Sequence, residues 1–174
     1  MSEKEKYLML NSRAAGQFAT KTSTVLAVLF LSGLAHADDW TFMDDRSSPQ
    51  KLVESYYFAI SNGYYVQAYG YFQKSSAPQN FETWAKGYED TKTVSVKFGP
   101  TEPDPGAGQI YWALPVAIGA IQTNGRSKVF TGCYKIHMIN PGMQSDPPYQ
   151  PMGIVSASLK ETKESYKDAQ PGSC

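Results

Sequence analysis

The chain has 174 residues, and its 16 Lys and Arg residues balance its 16 Asp and Glu residues. A balanced charge gives no basic patch of the kind that binds nucleic acid, and no polybasic stretch that would hold the protein on anionic lipid. With only two cysteines and two histidines, the sequence also lacks the ligand spacing of a zinc site. We therefore expect no metal, no other cofactor, no nucleic-acid partner and no stable membrane span.

The segment TVLAVLFLSGLAHA, residues 24–37, is typical of the end of a secretory leader. Its apolar run is about 11 residues long, whereas a membrane-spanning helix needs about 20. Small residues at positions 35 and 37 predict signal peptidase cleavage between Ala37 and Asp38. We expect residues 1–37 to be a cleavable signal peptide and the protein to be periplasmic or secreted in a bacterium. The alternative is a retained anchor or a buried helix.

The leader also predicts where the mature domain begins. Met9 lies nearer the apolar run than Met1 and gives a leader of ordinary length, so we expect translation to start at Met9. Cleavage would leave 137 residues, enough for one compact domain but not two. Residues 38–47 have no clear periodicity and are predicted to be irregular.

The two cysteines are Cys133 and Cys174. In an oxidising compartment an even number of cysteines favours a disulfide, which would close a loop of about 40 residues. The alternative is a buried free thiol at Cys133 and a frayed one at Cys174. The sequence alone leaves both alternatives open.

Three helices are predicted in the first half of the mature chain, because aromatic and aliphatic residues recur there at spacings of three and four. In the first helix, Ser48 can act as the N-cap and Pro49 suits the first helical position. Gly63 can end that helix, since glycine tolerates the left-handed conformation beyond a helix terminus. The second helix is predicted over residues 64–72 and the third around Trp84.

The second half of the chain changes to the alternating pattern of β-strands. Pro115 within a long strand implies a sheet edge or a bulge, because proline has no N–H to donate. Asn124-Gly125 is typical of a tight hairpin. The polar tail, residues 161–174, is expected to be loose except where Cys174 pins it. The four predicted strands are Thr93–Phe98, Ile110–Gln122, Lys128–Met138 and Gly153–Lys160.

Three runs carry a family resemblance: SPQKLVESYYFAISNGYYVQAYGYF, FETWAKGYEDTKTVSVKF and WALPVAIGAIQTNGRSKVFTGCYKI. In element order, aromatic spacing and the bend at residues 114–116, they resemble the nuclear transport factor two-like, or cystatin-like, superfamily. The resemblance is to its exported bacterial members and covers residues 48–160. It implies an α+β fold in which three N-terminal helices pack on a curved, mostly antiparallel four-stranded sheet. That fold is cone-shaped, with a pocket at its wide mouth.

Catalysis is not expected from the strands. Members similar to ketosteroid isomerase use a carboxylate base on the sheet and a Tyr or protonated Asp that polarises a carbonyl. Here no Asp or Glu occurs between Asp104 and Asp146. His137 is predicted to face away from the core, as an ordinary surface residue. We therefore assign no catalytic residue; the alternative is an isomerase or dehydratase that uses a helix-borne carboxylate, such as Glu54, with Tyr134.

Two surfaces remain as candidate binding sites. Five aromatic side chains either line an apolar pocket with polar tips or simply fill the core. The outer sheet face, smooth because its residues are mostly small, either forms a homodimer or is an ordinary half-solvated sheet. The five aromatic candidates are Tyr57, Tyr69, Trp84, Trp112 and Tyr134, and the outer face comprises Tyr111, Ala113, Ala117, Gly119 and Ile121.

The sequence thus favours an exported, non-enzymatic binding or accessory domain that recognises a partner protein or a small apolar ligand. Two alternatives stay open beside it. One is the isomerase or dehydratase described above, and the other is the periplasmic domain of a secretion-system component, which would retain its leader as an anchor.

Overall fold

The computed structural model describes residues 41–174, so the predicted leader and its cleavage site lie outside the described residues. The described part is α+β with an antiparallel sheet, as the sequence predicted. A short 3-10 turn, Pro141–Met143, follows the fourth strand. The helices are α1 (Pro49–Ser61), α2 (Tyr65–Tyr69) and α3 (Phe81–Lys86), and the strands are β1 (Thr91–Phe98), β2 (Asp104–Gly106), β3 (Gln109–Gln122), β4 (Ser127–Ile139) and β5 (Gly153–Thr162).

The sheet is built around one long hairpin. Strands β3 and β4 pair over 13 positions, and the strand order is β1-β3-β4-β5, with β2 pairing with β3 beyond the end of β1. The hairpin turns at Asn124-Gly125, as predicted, and Gly125 has a φ of 81° there. Glycine suits this position because other residues rarely adopt a positive φ. Strand β2 lies in a segment that the sequence suggested was a loop.

Pro115 lies in β3, opposite Cys133 of β4. The backbone N–H of Gly99 donates to the Pro115 carbonyl at 2.9 Å, so the polar backbone atoms of Pro115 point toward the β1 side. Strand β1 ends at Phe98, the residue before Gly99. The missing N–H of proline therefore costs no bond to β4, because the strand is locally an edge at this point.

Helix α1 forms the centre of the core. The Ser48 hydroxyl accepts a hydrogen bond from the Lys51 N–H at 3.2 Å, and Pro49 occupies the first turn, as predicted. The buried side of the helix packs on the inner face of the sheet, nearest to β1, and this packing stabilises the helix more than its own propensity could. The core residues include Leu52, Tyr56, Ile60, Leu114, Val116, Tyr134, Ile136 and Ile154.

The polar tail is packed rather than loose, which corrects the sequence prediction. We name residues 163–174 the C-terminal strap. Ala169 is fully buried, with Ala117 and Val129, on the outer face of the sheet. The Lys97 ammonium donates to the Ala169 carbonyl at 3.2 Å, and the Gly172 N–H donates to the Val116 carbonyl at 3.1 Å. The strap is held by backbone groups, and its polar composition gave no sign of that.

A disulfide joins the strap to β4. Cys133 and Cys174 are bonded, with their Cα atoms 5.2 Å apart, so of the two alternatives the structure has the disulfide. Their separation of 41 residues agrees with the predicted loop. A disulfide is compatible with an extracellular or periplasmic protein, because such compartments are oxidising. Over the described range, no helix is long and apolar enough to cross a bilayer.

The strap covers part of the outer face that the sequence suggested as a dimer surface. Ala117 is fully buried, and a Cβ on Gly119 would lie 2.7 Å from the Tyr166 ring. Ile121 remains 47% exposed and Ala113 is also exposed. The smooth surface is therefore divided by the chain itself, and only its two ends face solvent.

Candidate functional site

A cavity of about 260 Å³ lies where the inner face of the sheet meets α1 and the turn after α3. We name it the hairpin-end cavity, because it lies beside the β3–β4 turn. It is smaller than pockets that hold drug-sized ligands, which measure about 300–1,000 Å³. Its lining residues are Tyr57, Gly87, Tyr88, Thr91, Val94, Ile118, Ala120, Gln122, Lys128, Phe130 and Leu159.

The strand periodicity explains these walls. Alternate residues of a strand point to the same face, so Ile118, Ala120 and Gln122 of β3 line the cavity together. Lys128 of β4 pairs with Ala120 and therefore faces the same side. Ala120 is small, and this leaves space between the sheet and the Tyr88 ring.

Two pairs of tyrosine hydroxyls adjoin the cavity, and one tyrosine of each pair, Tyr57 or Tyr88, lines it. The Tyr57 and Tyr134 hydroxyl oxygens are 2.6 Å apart, and those of Tyr56 and Tyr88 are 2.8 Å apart. Burial raises the pKa of Tyr57 and of Tyr134 above the ordinary tyrosine value. These phenols therefore stay neutral at physiological pH, and each donates to or accepts from another phenol.

The hydrogen bond between Tyr57 and Tyr134 predicts how removal of either hydroxyl changes the free energy of unfolding. We expect Tyr57→Phe to lower the free energy of unfolding by about 1–3 kcal/mol, because it leaves the buried Tyr134 hydroxyl without a partner. Tyr134→Phe should have a similar cost, since it leaves the buried Tyr57 hydroxyl without its partner. The double variant should be close to wild type, because both hydroxyls are then removed. Urea unfolding measures all three free energies.

The control for this cycle is Tyr149→Phe, whose ring is largely exposed. It should leave the free energy of unfolding within about 0.5 kcal/mol of wild type. If the costs of the two single variants simply add in the double variant, the hydroxyls do not satisfy each other and the prediction is wrong.

The polar atoms of the cavity are few and concentrated at the hairpin end. Gln122 Oε1 is buried and lacks a hydrogen-bond partner within residues 41–174. Lys128 forms no ion pair with any other described residue. None of the lining residues is Asp or Glu. The cavity thus combines apolar walls with one uncompensated acceptor and one cation.

The carboxylates of the helices do not line the cavity. Glu54 accepts from the Lys51 ammonium at 2.8 Å, and Glu82 is exposed in the first turn of α3. His137 stacks on Tyr111, with ring centroids 4.6 Å apart, and contacts Gln109; burial lowers its pKa. Across residues 41–174 no three His, Cys, Asp or Glu side chains are grouped as metal ligands.

The five predicted aromatic residues do not line one pocket: four of them, Tyr57, Trp84, Trp112 and Tyr134, belong to or pack against the hydrophobic core cluster, as in the alternative that they fill the core. Tyr57 lines the cavity and Tyr134 lies behind it. Tyr69 and Trp84 pack on each other, with ring centroids 5.3 Å apart, outside the cavity lining. Trp112 pairs with Ile136, ten residues along β3 from Gln122, and likewise does not line the cavity.

Sequence reasoning missed Gln122 and Lys128. Both flank the predicted hairpin, where polar residues usually indicate exposed turn positions. The alternation of strand residues could have indicated them. Gln122 lies on the same inward face of β3 as Ile118, and Lys128 lies on the same inward face of β4 as Phe130.

Comparison of the chain with protein-family models, curated proteins and solved structures found no match. The resemblance to the nuclear transport factor two-like superfamily is therefore carried by the element order and the sequence runs alone, and the function is inferred from the cavity.

Proposed function

We propose that the protein is an exported, non-enzymatic domain of the nuclear transport factor two-like type that binds a small apolar ligand. The single observation that supports this most is the hairpin-end cavity. Its walls are aromatic and aliphatic, with a few polar atoms at one end, which is the usual composition of a small-molecule site. Its volume suits a ligand of about eight to ten non-hydrogen atoms, taking about 30 Å³ for each.

Export is supported by two features of different kinds. The predicted leader would direct the chain to the periplasm or beyond, and the Cys133–Cys174 disulfide suits the oxidising conditions there. The sheet and the helices would form the cone-shaped domain that the resemblance implies, with the cavity as its pocket. A retained leader would instead favour the secretion-system component.

The surroundings of Tyr134 favour binding over the isomerase alternative. An isomerase of this type needs a carboxylate close to the phenol that polarises the substrate. The hydroxyl of Tyr134 is instead paired with that of Tyr57. Among the described residues Ser55 is the one buried polar or charged residue, so the phenols have no buried carboxylate beside them.

A matched pair of variants tests the proposal. We expect 1-octanol to produce saturable NMR shifts at amides of the cavity wall, such as those of Val94 and Phe130. Ala120→Phe fills the cavity and should abolish these shifts, whereas Ala113→Phe, on the exposed outer face of the same strand, should preserve them. Equal binding by both variants, or no saturable shift in the wild-type protein, would contradict the proposal.

A partner protein is the other occupant that the sequence suggested. The exposed ends of the outer face, around Ala113 and Ile121, are where a homodimer contact would form. Light scattering at tens of micromolar protein measures this directly, and a strict monomer argues against the dimer.

A further inference from the structure

The chemistry of the ligand can be inferred from the polar end of the hairpin-end cavity, on the assumption that the proposed function is correct. Gln122 lines this end, and its Oε1 is buried beside the cavity without a donor. An unsatisfied buried acceptor is rare in native proteins, because burial costs it the hydrogen bonds that water would supply. A ligand that brings a hydrogen-bond donor into the cavity would satisfy this oxygen once the Gln122 amide turns toward it.

Lys128, in contrast, requires an acceptor or an anionic group on the ligand. Its ammonium is a triple donor with no ion-pair partner among residues 41–174, and no carboxylate lines the cavity. Glu161 lies opposite Phe130 on β5, but it is exposed and forms no ion pair with Lys128. An anionic group at the rim of the cavity would pair with this ammonium.

The two groups are close enough to bind one headgroup. Lys128 pairs with Ala120, and Gln122 is two residues further along β3 on the same face. Alternate residues of a strand are about 7 Å apart, and the flexible lysine side chain can span much of that distance. A cationic ligand is disfavoured, since its charge would approach Lys128.

We propose that the hairpin-end cavity binds a short hydroxy acid with a hydrocarbon tail. The carboxylate pairs with the Lys128 ammonium at the rim, and the hydroxyl donates to Gln122 Oε1. The tail packs between Tyr88, Ile118 and Phe130. The cavity volume of about 260 Å³ suits a chain of about eight carbons whose charged end remains at the rim.

The experiment compares three probes of equal chain length: 3-hydroxyoctanoate, octanoate and 1-octanol. Their dissociation constants are measured by NMR titration at low salt with the wild-type protein, Lys128→Met and Gln122→Met. In the wild type we expect 3-hydroxyoctanoate to bind most tightly. Lys128→Met should weaken both acids about 10-fold and leave 1-octanol unchanged. Gln122→Met should remove the advantage of 3-hydroxyoctanoate over octanoate.

The possible results distinguish a failure of the headgroup inference from a failure of the proposed function. If 1-octanol binds as tightly as the acids and Lys128→Met changes nothing, the headgroup inference is wrong while the apolar cavity remains a binding site. If none of the three probes binds to the wild type, the proposed function itself is wrong. Salt at 1 M should weaken the acids alone, because it screens the exposed ammonium. Glu161→Gln is the control for charge, and it should preserve the order of the three probes.

Discussion

Replacing both cysteines by serine should lower the free energy of unfolding by about 3–4 kcal/mol. The disulfide closes a loop of 41 residues, and in the chain-entropy account it removes the freedom of that loop from the unfolded state. This is a large part of the stability of a domain of this size, which is typically about 5–15 kcal/mol. Urea unfolding of the wild type and of Cys133→Ser/Cys174→Ser measures the difference.

Hydrogen exchange on the same variant locates the effect. Amides of the C-terminal strap, such as that of Gly172, should lose more protection than those of α1, because the strap loses its covalent attachment. The reduced wild-type protein is the control and should behave like the double variant. A change in unfolding free energy below about 1 kcal/mol would contradict the prediction.

The second large effect is expected from Gly132→Ala. A Cβ built on Gly132 would lie 2.0 Å from the Ser158 carbonyl oxygen and 3.0 Å from the Leu159 Cα, both backbone atoms of β5. Backbone cannot move aside as a side chain can, so β4 and β5 must separate locally. We expect a loss of about 3 kcal/mol, at the upper end of the usual cost of overpacking. Urea unfolding measures this loss.

Gly106→Ala is the matched control, because a Cβ on Gly106 in β2 meets no atom within 4 Å. It should change the free energy of unfolding by less than about 0.5 kcal/mol. If Gly132→Ala and Gly106→Ala have equal effects, the close approach of β4 to β5 is not what restricts position 132.

The parts of the fold that could be predicted are those with local signals. Ser48 and Pro49 mark the start of α1, and Asn124-Gly125 marks the hairpin, because each satisfies a requirement of the nearby backbone. The strap could not be predicted in this way. The strap is held by the buried Ala169, by the Lys167 and Ala169 carbonyls that accept from Lys97, and by the close approach of Gly172 to Gly132. None of these contacts produces a periodic pattern of hydrophobic residues in the sequence.

The sequence left open whether the aromatic residues line a pocket or fill the core, and it did not indicate the position of the hairpin-end cavity. The alternation of residues correctly gives the inward face of β3. That strand is 14 residues long, however, and the alternation does not indicate which of its ends borders a cavity. Trp112, a large aromatic residue of this strand, lies near one end and does not line the cavity. The space is at the other end, where Ala120 is small and Gly87 of the turn after α3 has no side chain to fill it. Such a gap depends on how distant elements meet, and no local pattern contains that information.

The contact between Gly172 and Gly132 also has a consequence for the order of events in biosynthesis. A Cβ on Gly172 would lie 2.5 Å from the Gly132 nitrogen, so the strap lies directly against the backbone of β4. All five strands precede the strap in the chain and are therefore translated first. We therefore expect the part of the outer face around Ala117 and Val129 to stay exposed, and open to chaperones, until the strap has followed β5 and docked.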